Sequence, residues 1–203
     1  MKKLNLPIFN LSFNPEDEES GVYTVSIVDN PAVGFGYQKF NKRKENFNVV
    51  SEDKQILSGV ILVADTPIYR YNKEIGEHYV MFDKETIRTL MQKFFAKGNH
   101  YNSNFNHVED QKINDVYFYE SFMIDKERGI NPPKGYEEVP DGSWFGTMKV
   151  EDVDTWNKIK EGDFTGFSVE GLFNYVNPDE AINDKYSDLI EIIEDIEELL
   201  DSL

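Results

Sequence analysis

The sequence predicts a mainly β domain of the α+β class: a small antiparallel β-barrel of about six or seven strands with peripheral helices and an acidic C-terminal helix. Apolar, β-branched runs bounded by Gly, Pro or Asn recur along the chain. Ahead of residue 177 only one long segment and one short one carry helical periodicity. Most strands follow one another without an intervening helix, which favours antiparallel pairing over a doubly wound sheet. The expected division is a barrel domain over residues 1–176 and a helical extension over 177–203.

Taken in order, "GVYTVSIVDNPAV" (residues 21–33) reads as a strand stopped by the Asn30-Pro31 turn. A Lys/Asn-rich stretch, residues 37–55, reads as a connection. "ILSGVILVADTPIYR" (56–70) is apolar enough for a strand buried on both faces. "HYVMF" (78–82) is a short strand leading into the helix "DKETIRTLMQKFFAKG" (83–98). There Asp83 is the expected N-cap, Ile87, Leu90, Met91, Phe94 and Phe95 recur at i, i+3, i+4, i+7, i+8, and Gly98 closes the C-terminus. "NSNFNHVE" (102–109), "DVYFYESFMID" (115–125) and "SWFGTMKV" (143–150) read as strands, with a Pro/Gly-rich loop over 129–142. A short helix in residues 150–162 carries Val153, Trp156 and Ile159 on one side and ends at Gly162. The strand "GFSVEGLF" follows. From Asn177 the chain holds ten acids and one lysine. Asn177-Pro178 with Glu180 reads as a helix start, and Leu189, Ile192, Ile196, Leu199 and Leu203 form a stripe that fits either its own domain or a partner.

Composition narrows the chemistry. The 203 residues suffice for one packed domain, and 39% hydrophobic content supports a core. A net charge of -17 argues against nucleic acid and anionic membranes, because phosphate binding needs concentrated Lys/Arg. With no cysteine there is no disulfide, thiol nucleophile or thiolate metal site. No apolar run reaches the roughly 18–20 residues of a membrane span. "MKKLNLPIFNLSF" has the lysines of a signal peptide, but Asn5, Pro7 and Asn10 interrupt its apolar run. The expectation is a cytosolic, acidic, globular protein that uses no cofactor.

Three histidines are available: His78, His100 and His107. Each can be structural, but His107 sits in "NFNHVED", flanked by polar groups able to fix its tautomer. A metal reading would draw on His100, His107, Glu109 and Asp110, yet their spacing matches no ligand motif. On a strand, Ser168 and Glu170 share the face opposite Phe167 and Val169, so a hydroxyl and a carboxylate lie side by side. "TGFSVEG" is not a nucleophile elbow, and a strand serine is ordinarily filler. A hydrolase using the paired carboxylates of Glu120 and Glu170 has no motif behind it.

The ordered set "GVYTVSIVDNPAV", "FNHVED", "VYFYESFMID" and "GSWFGTMKVEDVDTWNKIKEGDFTGFSVEG" resembles the phage prohead (capsid maturation) serine proteases, specifically the XkdF-like group, over most of residues 21–173. The densest part is residues 144–171. These enzymes are similar to the herpesvirus assemblin-type proteases. The resemblance implies a β-barrel, Ser168 as nucleophile and His107 as general base, both on strands. It implies an acid or second histidine as third member, for which Glu120 is the first candidate and Glu170 the alternative. It further implies phage scaffolding and major capsid proteins as substrates, dimerisation or autoprocessing, and a place in the host cytoplasm inside the immature capsid. Assemblin-type enzymes use an arginine after the serine to stabilise the oxyanion. Lys185 is the only basic residue after Ser168 here, which opens the alternative of a non-catalytic assembly or scaffold-binding protein with the same fold.

Overall fold

A computed structural model describes residues 6–29, 47–51, 54–108, 113 and 115–177. Among these described residues are ten strands and two α-helices: β1 (Ile8–Ser12), β2 (Gly21–Val28), β3 (Phe47–Ser51), β4 (Ile56–Leu62), β5 (Ile68–Asn72), β6 (Gly76–Met81), α1 (Lys84–Ala96), β7 (Val116–Met123), β8 (Trp144–Val150), α2 (Val153–Glu161), β9 (Gly166–Leu172) and β10 (Asn174–Val176). A 3-10 turn spans Asn99–Tyr101. The mainly β, α+β class holds. The Asn30-Pro31 turn and the acidic helix expected beyond residue 177 lie outside the described residues.

The closed barrel is overturned. The strands form three separate sheets, ordered β10-β1-β6-β5, β2-β9 and β3-β4-β8-β7. The reason is visible at residues 63–67, expected to continue one strand from 56 to 70. Asp65 adopts a left-handed φ of 51°, and Pro67 cannot donate to a ladder. Ala64 N–H turns instead to the Ser143 hydroxyl and Asp65 N–H to the Phe82 carbonyl. The chain thus leaves one sheet after β4 and enters another at β5. Pairing is not uniformly antiparallel either, since β1 runs parallel to β6.

The core lies between these sheets and α1. Trp144, Phe94, Phe145, Phe167, Ile27 and Leu57 are among its fully buried members. Burying each such side chain contributes about 1.5–3 kcal/mol. Phe94 of α1 meets Trp144 of β8 edge to face at 5.3 Å. Asp83 caps α1 as expected, accepting from Glu85 and Thr86 N–H at 2.9 and 2.8 Å. Of the stripe read from sequence, Ile87, Leu90 and Phe94 are buried, while Met91 and Phe95 pack at its margin. Gly162 ends α2 with φ 83°, a backbone state that only glycine adopts without cost.

Two strands and one turn carry the candidate site residues. β2 and β9 pair antiparallel with Ser26 opposite Ser168 and Val25 opposite Val169. Their apolar face turns inward, where Phe167 meets Phe118 at 5.5 Å. The other edge of β2 is occupied by residues 102–106, which run along it: Val25 N–H donates to Asn102 O (3.3 Å), Ile27 N–H to Asn104 O (3.0 Å), and Asn106 N–H to Ile27 O (3.1 Å).

Candidate active site

β2 is the middle element of a three-part surface, with residues 102–106 on one edge and β9 on the other. Alternation along β9 turns Ser168 and Glu170 to the same side. Pairing then sets Ser26 beside Ser168 and Thr24 beside Glu170. Gly171 has a local task. A Cβ there would come within 2.4 Å of the Gly21 carbonyl oxygen, beside the register shift of β2 between Val22 and Thr24.

His107 is not on a strand as expected. It sits in the turn that ends the segment along β2, with φ 62°, directly after Asn106 at φ 48°. Asn and His tolerate this left-handed region better than most residues. The turn is pinned by Asp29 N–H donating to Asn106 Oδ1 at 3.0 Å and Val108 N–H donating to Phe105 O at 3.0 Å. Phe105 itself stacks on Phe164 at 4.6 Å, with the Lys158 ammonium 5.3 Å from its ring centroid. These contacts hold the imidazole over β2, reaching toward β9.

The resulting distances form a connected chain. Ser168 Oγ lies 3.0 Å from His107 Nε2. On the far side of the ring, Nδ1 lies 3.1 Å from Glu170 Oε1 and 3.2 Å from Ser26 Oγ. Glu170 Oε1 also accepts from Ser26 Oγ at 2.6 Å and from Asn104 Nδ2 at 2.7 Å. Ser168 is 4% exposed, whereas the His107 side chain is 40% exposed. The nucleophile candidate is therefore covered and its imidazole partner accessible. Burial pushes the Glu170 carboxyl up, but hydrogen bonds from Ser26, Asn104 and His107 together outweigh it and hold the group below its ordinary value.

The carboxylate beside His107 is thus Glu170, the sequence alternative, and not Glu120. Glu120 is exposed on β7, opposite Thr147 at a register shift that leaves both Tyr119 and Glu120 facing outward. Of the two carboxylates in the paired reading, Glu170 bonds to Ser26, Asn104 and His107, whereas Glu120 is exposed on a different strand. His100 stacks on Phe95 at 5.8 Å, and His78 is fully buried, its Nδ1 2.9 Å from the Gly76 carbonyl. Glu109 and Asp110 of the metal reading lie outside the described residues. No group of three or more His, Asp or Glu able to hold a metal occurs among the described residues.

Two members of the network were not singled out from sequence. Asn104 belonged to the polar flank of His107 without being distinguished from its neighbours. Ser26 reads as one hydroxyl in a strand, and only the β2–β9 register brings it beneath the imidazole.

A family model described as "Putative phage serine protease XkdF" matches residues 45–177. No curated protein and no solved structure matches the chain. The matched stretch includes Asn104, His107, Ser168 and Glu170, and it begins after Ser26.

Proposed function

This chain belongs to the XkdF family of phage serine proteases, and from that premise we propose that it is a serine endopeptidase working through Ser168, His107 and Glu170. The observation that carries the reading is the pair of contacts on opposite sides of one ring: Ser168 Oγ at 3.0 Å from Nε2 and Glu170 Oε1 at 3.1 Å from Nδ1. This is the arrangement that Ser-His-acid hydrolases share on unrelated folds, with the base within reach of the hydroxyl and a carboxylate behind it.

Glu170, ionised at neutral pH, favours the proton on Nδ1 and leaves the Nε2 lone pair for Ser168. His107 takes the Ser168 proton as Oγ attacks the substrate carbonyl. It then returns that proton to the leaving amine, giving an acyl-enzyme. Water, deprotonated by the same imidazole, hydrolyses the ester and regenerates Ser168. Glu170 stabilises the imidazolium formed in each half-reaction. For the oxyanion, the ladder offers a donor. Ile27 spends its N–H and C=O on residues 104–106, so Ser26 turns its own toward Ser168. Alternation then directs the Val169 N–H away from β2, one residue from the nucleophile, which supports it as an oxyanion donor without an arginine.

The substrates that fit the family's phage setting are scaffolding and major capsid proteins, met inside the immature capsid, where confinement raises local concentration. Co-expression of the chain with its phage's scaffold and capsid proteins is the test. Processing is expected with the wild type and lost in both Ser168→Ala and His107→Ala; unchanged processing in the two variants contradicts the assignment.

A further inference from the structure

We propose that Ser26 is a positioning residue of this site, a hydroxyl bridge that holds His107 in the Nδ1–H tautomer. The inference rests on the protease reading for its kinetic consequence but stands on geometry of its own. Ser26 is fully buried and lies opposite Ser168 in the β2–β9 register. Its hydroxyl carries one proton, and the 2.6 Å contact commits it to Glu170 Oε1. What Ser26 then presents to His107 Nδ1, 3.2 Å away, is a lone pair. Glu170 Oε1, at 3.1 Å, presents another. Among the described residues Nδ1 therefore faces two acceptors and no donor, so the proton resides on Nδ1 and Nε2 faces Ser168 as a base.

The position explains the residue. Neighbouring strands lie about 4.8 Å apart, so an imidazole carried on one edge of β2 and reaching β9 passes over the middle strand. A larger side chain at 26 would occupy the path of the ring, and alanine would leave Nδ1 with one acceptor and Glu170 with one donor fewer. Asn104 Nδ2, at 2.7 Å, supports the same carboxylate oxygen from the opposite edge. Ser26 precedes the stretch matched by the family model, residues 45–177, so the catalytic apparatus draws on a strand outside the matched region.

The test is nitrogen NMR of histidine-labelled protein, where three imidazoles keep assignment simple. The wild type is expected to show His107 as the Nδ1–H tautomer. Ser26→Ala is expected to show a mixture of tautomers, with kcat for peptide cleavage falling roughly tenfold to a hundredfold and KM unchanged, the size of loss that follows removal of an outer partner from a metal-bound histidine. Ser103→Ala is the control. It removes a neighbouring buried hydroxyl that has no hydrogen-bond partner among the described residues, and it should change neither readout. Ser26→Cys keeps the packing with a weaker hydrogen-bonding group and reads the same tautomer shift should the alanine variant lose its fold. A pure Nδ1–H tautomer in a folded Ser26 variant overturns the proposal. A tautomer shift in a chain that cleaves no peptide leaves the role of Ser26 standing and removes the protease reading instead.

Discussion

Two cross-strand hydroxyl pairs in this molecule, in separate sheets, differ in what surrounds them. Ser58 of β4 and Thr147 of β8 lie directly opposite each other, and their hydroxyls bond to each other at 2.8 Å. Ser26 and Ser168 also lie directly opposite, but each hydroxyl turns to His107 or its carboxylate. In the first pair, donor and acceptor are satisfied locally and the result is a sheet contact. In the second, an imidazole laid over the middle strand intercepts both hydroxyls and connects them to Glu170. On the proposed reading, a buried strand serine becomes reactive because of what the neighbouring turn delivers.

The sharpest way to break that contrast is to remove the intercepting groups. Ser168→Ala or His107→Ala is expected to lower the cleavage rate by about 10⁴-fold or more, measured on purified protein with a scaffold-derived substrate. Thr147→Ala should leave the rate within about twofold. A comparable loss in both places would erase the distinction.

Next in size is the choice between two strand glutamates. Glu170→Gln keeps the shape but removes the charge behind the imidazole, and should reduce kcat by about 10²–10⁴-fold. Glu120→Gln should leave kcat unchanged, because that side chain is exposed on β7. Steady-state kinetics on the two variants separates them, and the reverse order of effects would restore Glu120 as the third member.

That pair also shows where the sequence stops being informative. Ser168 and His107 were legible because the segments that carry them resemble one family in a fixed order. Choosing between Glu120 and Glu170 required knowing that β7 pairs with β8 through a register shift at Phe118/Glu120, which turns Glu120 outward. Placing His107 on a strand followed from "NFNHVE" having strand-like composition. The left-handed φ values at Asn106 and His107 depend on Asp29, a partner far away in sequence. α1 was legible to both its caps and α2 to its closing glycine, since a cap is written within a few residues, although the Asp152 N-cap of α2 was not read. The strands β1, β3 and β10 are three to five residues long. They were missed because pairing with distant segments, and no local periodicity, makes them strands. The barrel failed for the related reason that closure is a property of all edges together, and one turn at residues 63–67 sends β4 and β5 to different sheets.

Stability gives smaller tests. Gly171→Ala should cost about 1–3 kcal/mol, read as a lower Tm, because its Cβ meets the Gly21 carbonyl at 2.4 Å. Ser58→Ala should cost about 1 kcal/mol with activity intact. Glu170 adds a pH-dependent contribution. Its carboxyl is held below the ordinary value in the fold, so the unfolded chain binds its proton first. The stabilisation is present above the unfolded-state pKa and disappears as pH falls through the folded one. The stability difference between wild type and Glu170→Gln should therefore shrink on acidification in denaturant titrations, and a gap that widened would contradict the hydrogen-bonded carboxylate.

The most direct measurement of the central claim is covalent. Treating the protein with a fluorophosphonate and mapping the adduct by peptide mass spectrometry tests whether one serine is activated, and which. The expected result is a single adduct on Ser168, formed in the wild type and lost in His107→Ala. An adduct on another serine, or labelling of Ser168 that proceeds equally well without His107, would show that the 3.0 Å contact between them does not activate the hydroxyl.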